Sequence, residues 1–248
     1  MSDFVTGHYS TRADDYVRSA THAKGEDLDH LARLLAEEQP ASLLDLGCGG
    51  GHVAYAATPF VPLILACDPT ATMTRAVQSE AGKREIGHIL PVCGFAEMIP
   101  LADHSVDALA SRYSAHHWRD LETGLVEARR VLRPGGLGVF IDTVAPEDAM
   151  ADSVLQTIET LRDPSHTRNY RPSEWRQNLE TAGFAIQDHI PLRLRLDFSS
   201  WVARTATSEL HCKAILSLQA AASPHIRQRF AFEADGSFTL DTALFIVR

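Results

Sequence analysis

Apolar residues recur through the first half of the chain in short blocks, each halted by glycine, aspartate or serine, with helix-period segments between them. Residues 26–38 set Leu28, Leu31, Leu34 and Leu35 on one helical face, which predicts an amphipathic helix. The run Ser42 to Leu46 is cut off by Gly47, Gly49, Gly50 and Gly51; a wholly apolar run stopped this way reads as a buried parallel strand turning into a helix. The pattern repeats at Leu63–Cys67 (stopping at Asp68-Pro69), Ile89–Cys93, Val106–Ala110 and Gly138–Ile141 (stopping at Asp142). Helical segments are predicted over 52–57, 71–81 and 121–132, and Pro134-Gly135-Gly136 reads as a sharp turn into the fifth strand. Alternating strands and helices imply an α/β fold with a mainly parallel sheet covered on both faces.

After Asp142 the rhythm changes. Residues 148–162 read as helical, 173–182 as a second helix capped by Ser173 and stopped by Gly183, and 185–198 as a half-exposed strand, with Leu192, Leu194 and Leu196 alternating with arginines. Residues 199–222 read as helical again, and SFTLDTALFIVR, after Asp235-Gly236, as a final strand and one arm of a hairpin. The expected organisation is a single domain over 1–248, with a ligand-binding core at about 26–145 and lid segments at about 146–172 and 199–232.

Composition narrows the function. The 248 residues are 45% hydrophobic, and 23 basic against 32 acidic residues leave a net charge of −9, so the basic footprint of a nucleic-acid binder is missing. The opening MSDFVTGHYS has no apolar signal region, and the runs at 61–67 and 136–141 are too short to span a bilayer, so no membrane span and a cytoplasmic location are expected. Four cysteines, at 48, 67, 93 and 212, form no CxxC pair and read as reduced thiols. The histidines show no HExxH or HxH spacing, and no metal is expected.

The candidate chemistry begins at the first strand's end, Asp45-Leu46-Gly47-Cys48-Gly49-Gly50-Gly51-His52. Glycines let backbone approach a ligand, and the following helix offers N–H groups to an anion. A dinucleotide fingerprint wants GxGxxG, but His52 fills the third glycine's place, so the shorter loop suits a smaller anion such as a carboxylate. Asp68 ends the second strand; an acid there either accepts from both hydroxyls of an adenosine ribose or caps the turn Asp68-Pro69-Thr70.

Asp45–Gly51 with Asp68, Gly94-Phe95-Ala96-Glu97 and Val131–Gly136 resemble the class I S-adenosylmethionine-dependent methyltransferases of the UbiE-like branch. SRYSAHHW (111–118), SHTRNY (165–170) and FSSWVAR (198–204) are similar to the YafE-type bacterial proteins and extend the likeness over most of the chain. The resemblance implies a Rossmann-like, doubly wound, seven-stranded sheet and S-adenosyl-L-methionine as cofactor, with S-adenosyl-L-homocysteine as product. It implies that Gly47 and Gly49 line the methionine part, that Asp68 binds the ribose hydroxyls, that Met73 packs on the adenine, and that Asp45, Cys48 and Pro69 also belong to the cofactor site. Ala96 would offer backbone to the adenine edge; where relatives carry Asp, this chain has Phe95, with stacking or Glu97 as substitute. Ser111 would sit near the sulfonium, and Tyr16 would fold over the cofactor.

Methyl transfer needs positioning, exclusion of water and, where the acceptor carries a proton, one base. His117 and its neighbour His116 follow the fourth strand beside the expected methyl and are candidate bases; Arg112 and Tyr113 are candidates to orient a polar acceptor, the alternatives being a salt bridge and a packed ring. His166, Arg168 and Tyr170 lie on the expected lid, and Trp118, Trp175 and Trp201 either line the acceptor pocket or pack the core. Cys48, Cys67 and Cys93 end neighbouring strands and are expected to gather at the cofactor pocket. The expected activity is methylation of a small molecule by a monomer or homodimer. Two alternatives stand beside it: a nicotinamide-dependent oxidoreductase, and a cofactor-binding protein without catalysis.

Overall fold

In the computed structural model, which describes residues 25–248, the chain opens with helix α1 (Glu26–Glu38), whose Leu28, Leu31 and Leu35 are buried and whose acidic first turn, Glu26, Asp27 and Asp29, complements the positive helix end. Then follow β1 (Leu43–Leu46), α2 (His52–Ala57), β2 (Ile64–Asp68), α3 (Ala71–Lys83), β3 (Ile89–Cys93) and β4 (Val106–Arg112). A single 3-10 turn, Ala115–His117, leads into α4 (Leu121–Val131) and β5 (Leu132–Thr143). Beyond it come α5 (Ala149–Arg162), α6 (Pro172–Thr181), β6 (Ile186–Leu196), α7 (Phe198–Arg204), α8 (Glu209–Ala221), α9 (Pro224–Phe230) and β7 (Phe238–Val247).

The seven strands form one sheet in the order β3-β2-β1-β4-β5-β7-β6. Six strands, β1–β6, run in one direction, and β7 alone lies antiparallel, between β5 and β6. One apolar layer, with Leu44, Leu109, Phe140 and Trp175, packs on α4 and α6; the other, with Leu43, Ala108 and Ile141, packs on α1, α2 and α3. The carboxyl ends of β1, β2 and β4 therefore meet where the strand order reverses, where open α/β sheets take ligands. A third cluster, with Leu155, Ile158, Trp201, Ile215 and Phe230, joins α5 and α7–α9 to β6 and β7.

Several expectations shift. The Pro134–Gly136 turn lies inside β5: pairing passes from Val106↔Leu132 to Ala108↔Leu137, so the extra residues bulge out of the ladder. Ser173 does not cap α6. Pro172 occupies the first turn, Glu174 reaches back to accept from Arg171 N–H at 2.7 Å, and Ser173 donates to Glu147 instead. The helical stretch expected over 199–222 is met by two helices, α7 and α8, parted where Ala206 turns left-handed (φ 49°) and Ser208 caps the second by accepting from His211 N–H. The β6–β7 pair closes no tight hairpin, since α7, α8 and α9 lie between its strands.

Candidate active site

The loop after β1 is held on two sides. The Gly47 and Cys48 N–H groups both donate to Cys67 carbonyl, at 2.8 and 2.9 Å, and Gly49 N–H donates to Asp68 Oδ2 at 3.1 Å. Asp68 Oδ1 accepts from Thr70 N–H at 2.8 Å, so one buried carboxylate ties the glycine loop to the turn into α3. Burial raises its pKa, with the Thr70 and Gly49 N–H groups pulling the other way. Asp45 accepts from Ala54 N–H at 3.1 Å, and burial pushes its pKa up to about 7.

Glycine is required at two places for different reasons. A Cβ on Gly47 would lie 1.8 Å from Ser114 Oγ, on a backbone at φ +75°. Gly49, at φ +46°, would point a Cβ into open space, with nothing within 4 Å. Gly47→Ala is therefore expected to displace the Ser114 loop and cost at least about 1–3 kcal/mol of stability, read by thermal unfolding. Gly49→Ala should cost only the strain of its left-handed backbone, about 1 kcal/mol, yet bind ligand poorly.

A cleft over this loop is lined by Asp45, Gly47, Gly49, His52, Arg112 and Tyr113, with Cys48 in its wall. Arg112 grips the buried Asp27 of α1 through two guanidinium nitrogens, and this ion pair fixes the cleft wall. Met73 is buried in the first turn of α3, and Pro69 offers its carbonyl to the Cys93 thiol at 3.7 Å. Ala96 is buried; the Phe95 ring carries the Arg119 guanidinium at 4.9 Å; Glu97 accepts from Arg119 and Asp120 N–H, which commits it to that loop. Ser111 is buried at the end of β4, and its Oγ has no hydrogen-bond partner among the described residues. Tyr16 lies outside the described residues.

The cysteines part company. Cys48 and Cys67 are buried and burial raises both pKa values, that of Cys67 to about 12, whereas Cys93 is exposed.

Tyr113 lines a second cavity of about 70 Å³, together with His116, His117, Glu159, Arg162, Asn169, Trp201 and Arg204. His116 Nδ1 meets Asp142 Oδ1 at 2.6 Å, and its backbone N–H donates to Asp142 Oδ2 at 3.2 Å. Thr143 N–H also donates to Asp142, which closes β5 much as Asp68 closes β2. Burial pushes the His116 pKa down, but the charge and hydrogen bond of Asp142 outweigh it, and the net shift is upward. His117 differs: its Nδ1 faces Ser165 carbonyl at 3.2 Å, and burial and the neighbouring His116 push its pKa down to about 4. His166 lies near at a tilt, 5.8 Å from His116 between ring centres, and burial pushes its pKa down to about 2.

The loop before α6 is tied to this turn, with Thr167 and Arg168 N–H both donating to His116 carbonyl. Arg168 bridges Asp152 and Glu174, and Tyr170 packs against the core. Trp118 and Trp175 belong to the core and Trp201 to the cavity wall. Among the described residues no cluster of three or more His, Cys, Asp or Glu side chains can hold a metal ion.

Residues 44–140 match the family described as "Methyltransferase domain". The chain is 40% identical to the uncharacterized protein YafE of Escherichia coli (strain K12) over 79% of its length and 94% of YafE. It is 32% identical to the uncharacterized methyltransferase YcgJ of Bacillus subtilis (strain 168), over 90% of this chain and 88% of YcgJ. The chain belongs to the S-adenosylmethionine-dependent methyltransferases. The crystal structure of YcgJ superposes with a TM-score of 0.84, covering 89% of this methyltransferase and 97% of YcgJ at 31% identity. That of a putative methyltransferase from Bacillus halodurans gives 0.86, covering 90% and 99% at 28% identity. The expected Rossmann-like class and the likeness to YafE are both met, and the oxidoreductase alternative is set aside. Among the described residues no helix is long and apolar enough to cross a membrane.

Sequence reading missed three features of the site. Asp142 was visible only as the end of a strand, although an acid closing β5 matches the position of Asp68. Asn169 lay in a polar loop, and Glu159, Arg162 and Arg204 sit on helices whose pattern carries no chemical signal.

Proposed function

We propose that this enzyme methylates a small molecule, with the cofactor in the cleft over the glycine loop and the acceptor in the cavity beyond Tyr113. The observation that carries the reading is that Tyr113 walls both spaces, so the two ligands would approach each other across one side chain. The residues fit the cofactor: Gly49 opens onto space a Cβ would fill, and buried Ser111 has a hydroxyl to offer. Asp68 would accept from ribose hydroxyls through lone pairs left over from Gly49 and Thr70, and Asp45, Gly47 and Cys48 would line the amino-acid part. The cofactor supplies a sulfonium-activated methyl, transferred to the acceptor in line.

His116, oriented by Asp142, takes the acceptor's proton at Nε2, since Nδ1 is committed to the carboxylate. His117 and His166 flank it as neutral rings that crowd out water. The 26–145 core binds cofactor, while the 146–172 and 199–232 segments cover the acceptor.

The test is conversion of S-adenosylmethionine to S-adenosylhomocysteine in the presence of a fractionated metabolite extract. Acceptor-dependent product supports the reading; tight binding with no turnover in any fraction favours a non-catalytic cofactor binder. A second expectation concerns thiols. Alkylating reagents should modify Cys93 first, opposite Asp68 in the β2–β3 register, and bound cofactor should slow that reaction. Peptide mass spectrometry showing equal rates at saturating cofactor would contradict the placement.

A further inference from the structure

The acceptor cavity has a chemical character of its own. Its walls carry two guanidiniums, Arg162 on α5 and Arg204 on α7, against one carboxylate, Glu159, which lies 3.7 Å from Arg162. Arg162 and Arg204 are the guanidiniums that reach this cavity, while Asp142 and Asp163 stand behind its lining, on His116 and Ser165. The opposite wall is apolar: Leu194, Leu196, Trp201 and Leu240.

Asn169 supplies the independent observation. It is 1% exposed, it lines this cavity, and its Nδ2 has no hydrogen-bond partner among the described residues. Its backbone is clamped by Gln156, which accepts from Asn169 N–H at 3.1 Å and donates to Asn169 carbonyl at 2.7 Å. A buried amide donor fixed in place without a partner is costly, and such donors are met by ligand oxygen in working sites.

We infer that the acceptor is a small aliphatic acid that also bears a hydroxyl: its carboxylate is received by Arg204, Arg162 and Asn169, while the hydroxyl faces His116, which would take its proton as the oxygen gains the methyl and S-adenosylhomocysteine leaves. The inference rests on the proposed methyl-transfer reading and names its substrate class. A guanidinium with a neutral amide donor suits a carboxylate oxygen pair, and Arg162 and Arg204 come from different helices, so they can grip from two sides. The apolar wall takes the carbon skeleton. At about 70 Å³ the cavity admits roughly five to seven water-sized groups at ~10–15 Å³ each, which favours short chains.

The experiment titrates the full chain, saturated with S-adenosylhomocysteine, by calorimetry. The probes are propanoate, isobutyrate and 3-methylbutanoate, each beside the primary amide and the amine of the same skeleton. The expected result is that at least one acid binds about tenfold or more tighter than its amide, with the amines weakest. Arg204→Gln and Asn169→Asp should each weaken that acid by about tenfold or more while S-adenosylhomocysteine affinity stays at the parent value. Equal affinity for acid and amide, preference for an amine, or no binding across the acids while S-adenosylhomocysteine binds, each overturns the carboxylate assignment alone. Failure of S-adenosylhomocysteine itself to bind overturns the underlying reading, and this inference with it. The wild-type series stands even if either variant fails to fold.

Discussion

His116→Gln lowers kcat by about two to four orders of magnitude, the usual contribution of a positioned general base, while cofactor affinity stays unchanged. The expectation follows from the Asp142 dyad: Asp142 receives the His116 ring, the His116 backbone N–H and the Thr143 N–H, and so has little freedom to turn. The pH dependence carries a sign. A base works deprotonated, and the His116 pKa is raised above the ordinary imidazole value of 6.5, so kcat should climb with pH through a midpoint above 6.5. The charged and titratable groups facing the ring are Asp142, Glu159, Arg162, His117 and His166. Asp142→Asn removes the largest upward influence and leaves burial, so the midpoint should move to lower pH as kcat falls. A pH–rate profile unchanged in shape by either substitution would exclude the base role and return His116 to holding the loop. The same profile on His117→Ala discriminates between the rings, since a group already neutral above about pH 4 has no limb to lose near neutrality.

Asp68→Ala is the second large effect. Hydrogen bonds to a charged acceptor are worth about 1.5–3 kcal/mol, so losing one ribose contact weakens cofactor binding roughly tenfold to a hundredfold. The substitution also frees the Gly49 and Thr70 N–H groups, which loosens the loop that shapes the cleft. Asp68→Asn separates the two contributions: an amide oxygen can still accept from one of those N–H groups, so the loop stays nearer its place while the charge is lost. Calorimetry with S-adenosylhomocysteine reads both. Affinity at the parent level in Asp68→Ala would mean that the carboxylate serves the loop alone, and the adenosine would have to lie elsewhere.

How far the chain announces its own structure differs from place to place. The inner strands β1, β2 and β4 follow from local pattern, because a strand buried on both faces must be an apolar run, and the turn after β1 must accommodate positive φ, as Gly47, Gly49 and Gly51 do. Asp68 was legible for the same reason: its position relative to the glycine loop is set by the length of one strand–helix–strand unit. For Arg112 the sequence offers an acceptor contact or a salt bridge, without naming the partner. That Asp27, 85 residues away in sequence, claims its guanidinium is a fact of packing between α1 and β4.

By itself, then, the sequence determined the parallel sheet, the glycine cradle and the acid beside it, since each depends on residues close enough along the chain for backbone geometry to place them. Tertiary structure decided the rest. It chose His116 over His117 as the ring that meets an acid, because only the β4–β5 pairing brings Asp142 to the 3-10 turn. It also brought Glu159, Arg162, Asn169 and Arg204 from α5, a loop and α7 around one cavity, an arrangement that no local period can encode. Side-chain chemistry shared between distant segments becomes definite only when the sheet and its helices have fixed the distances among them.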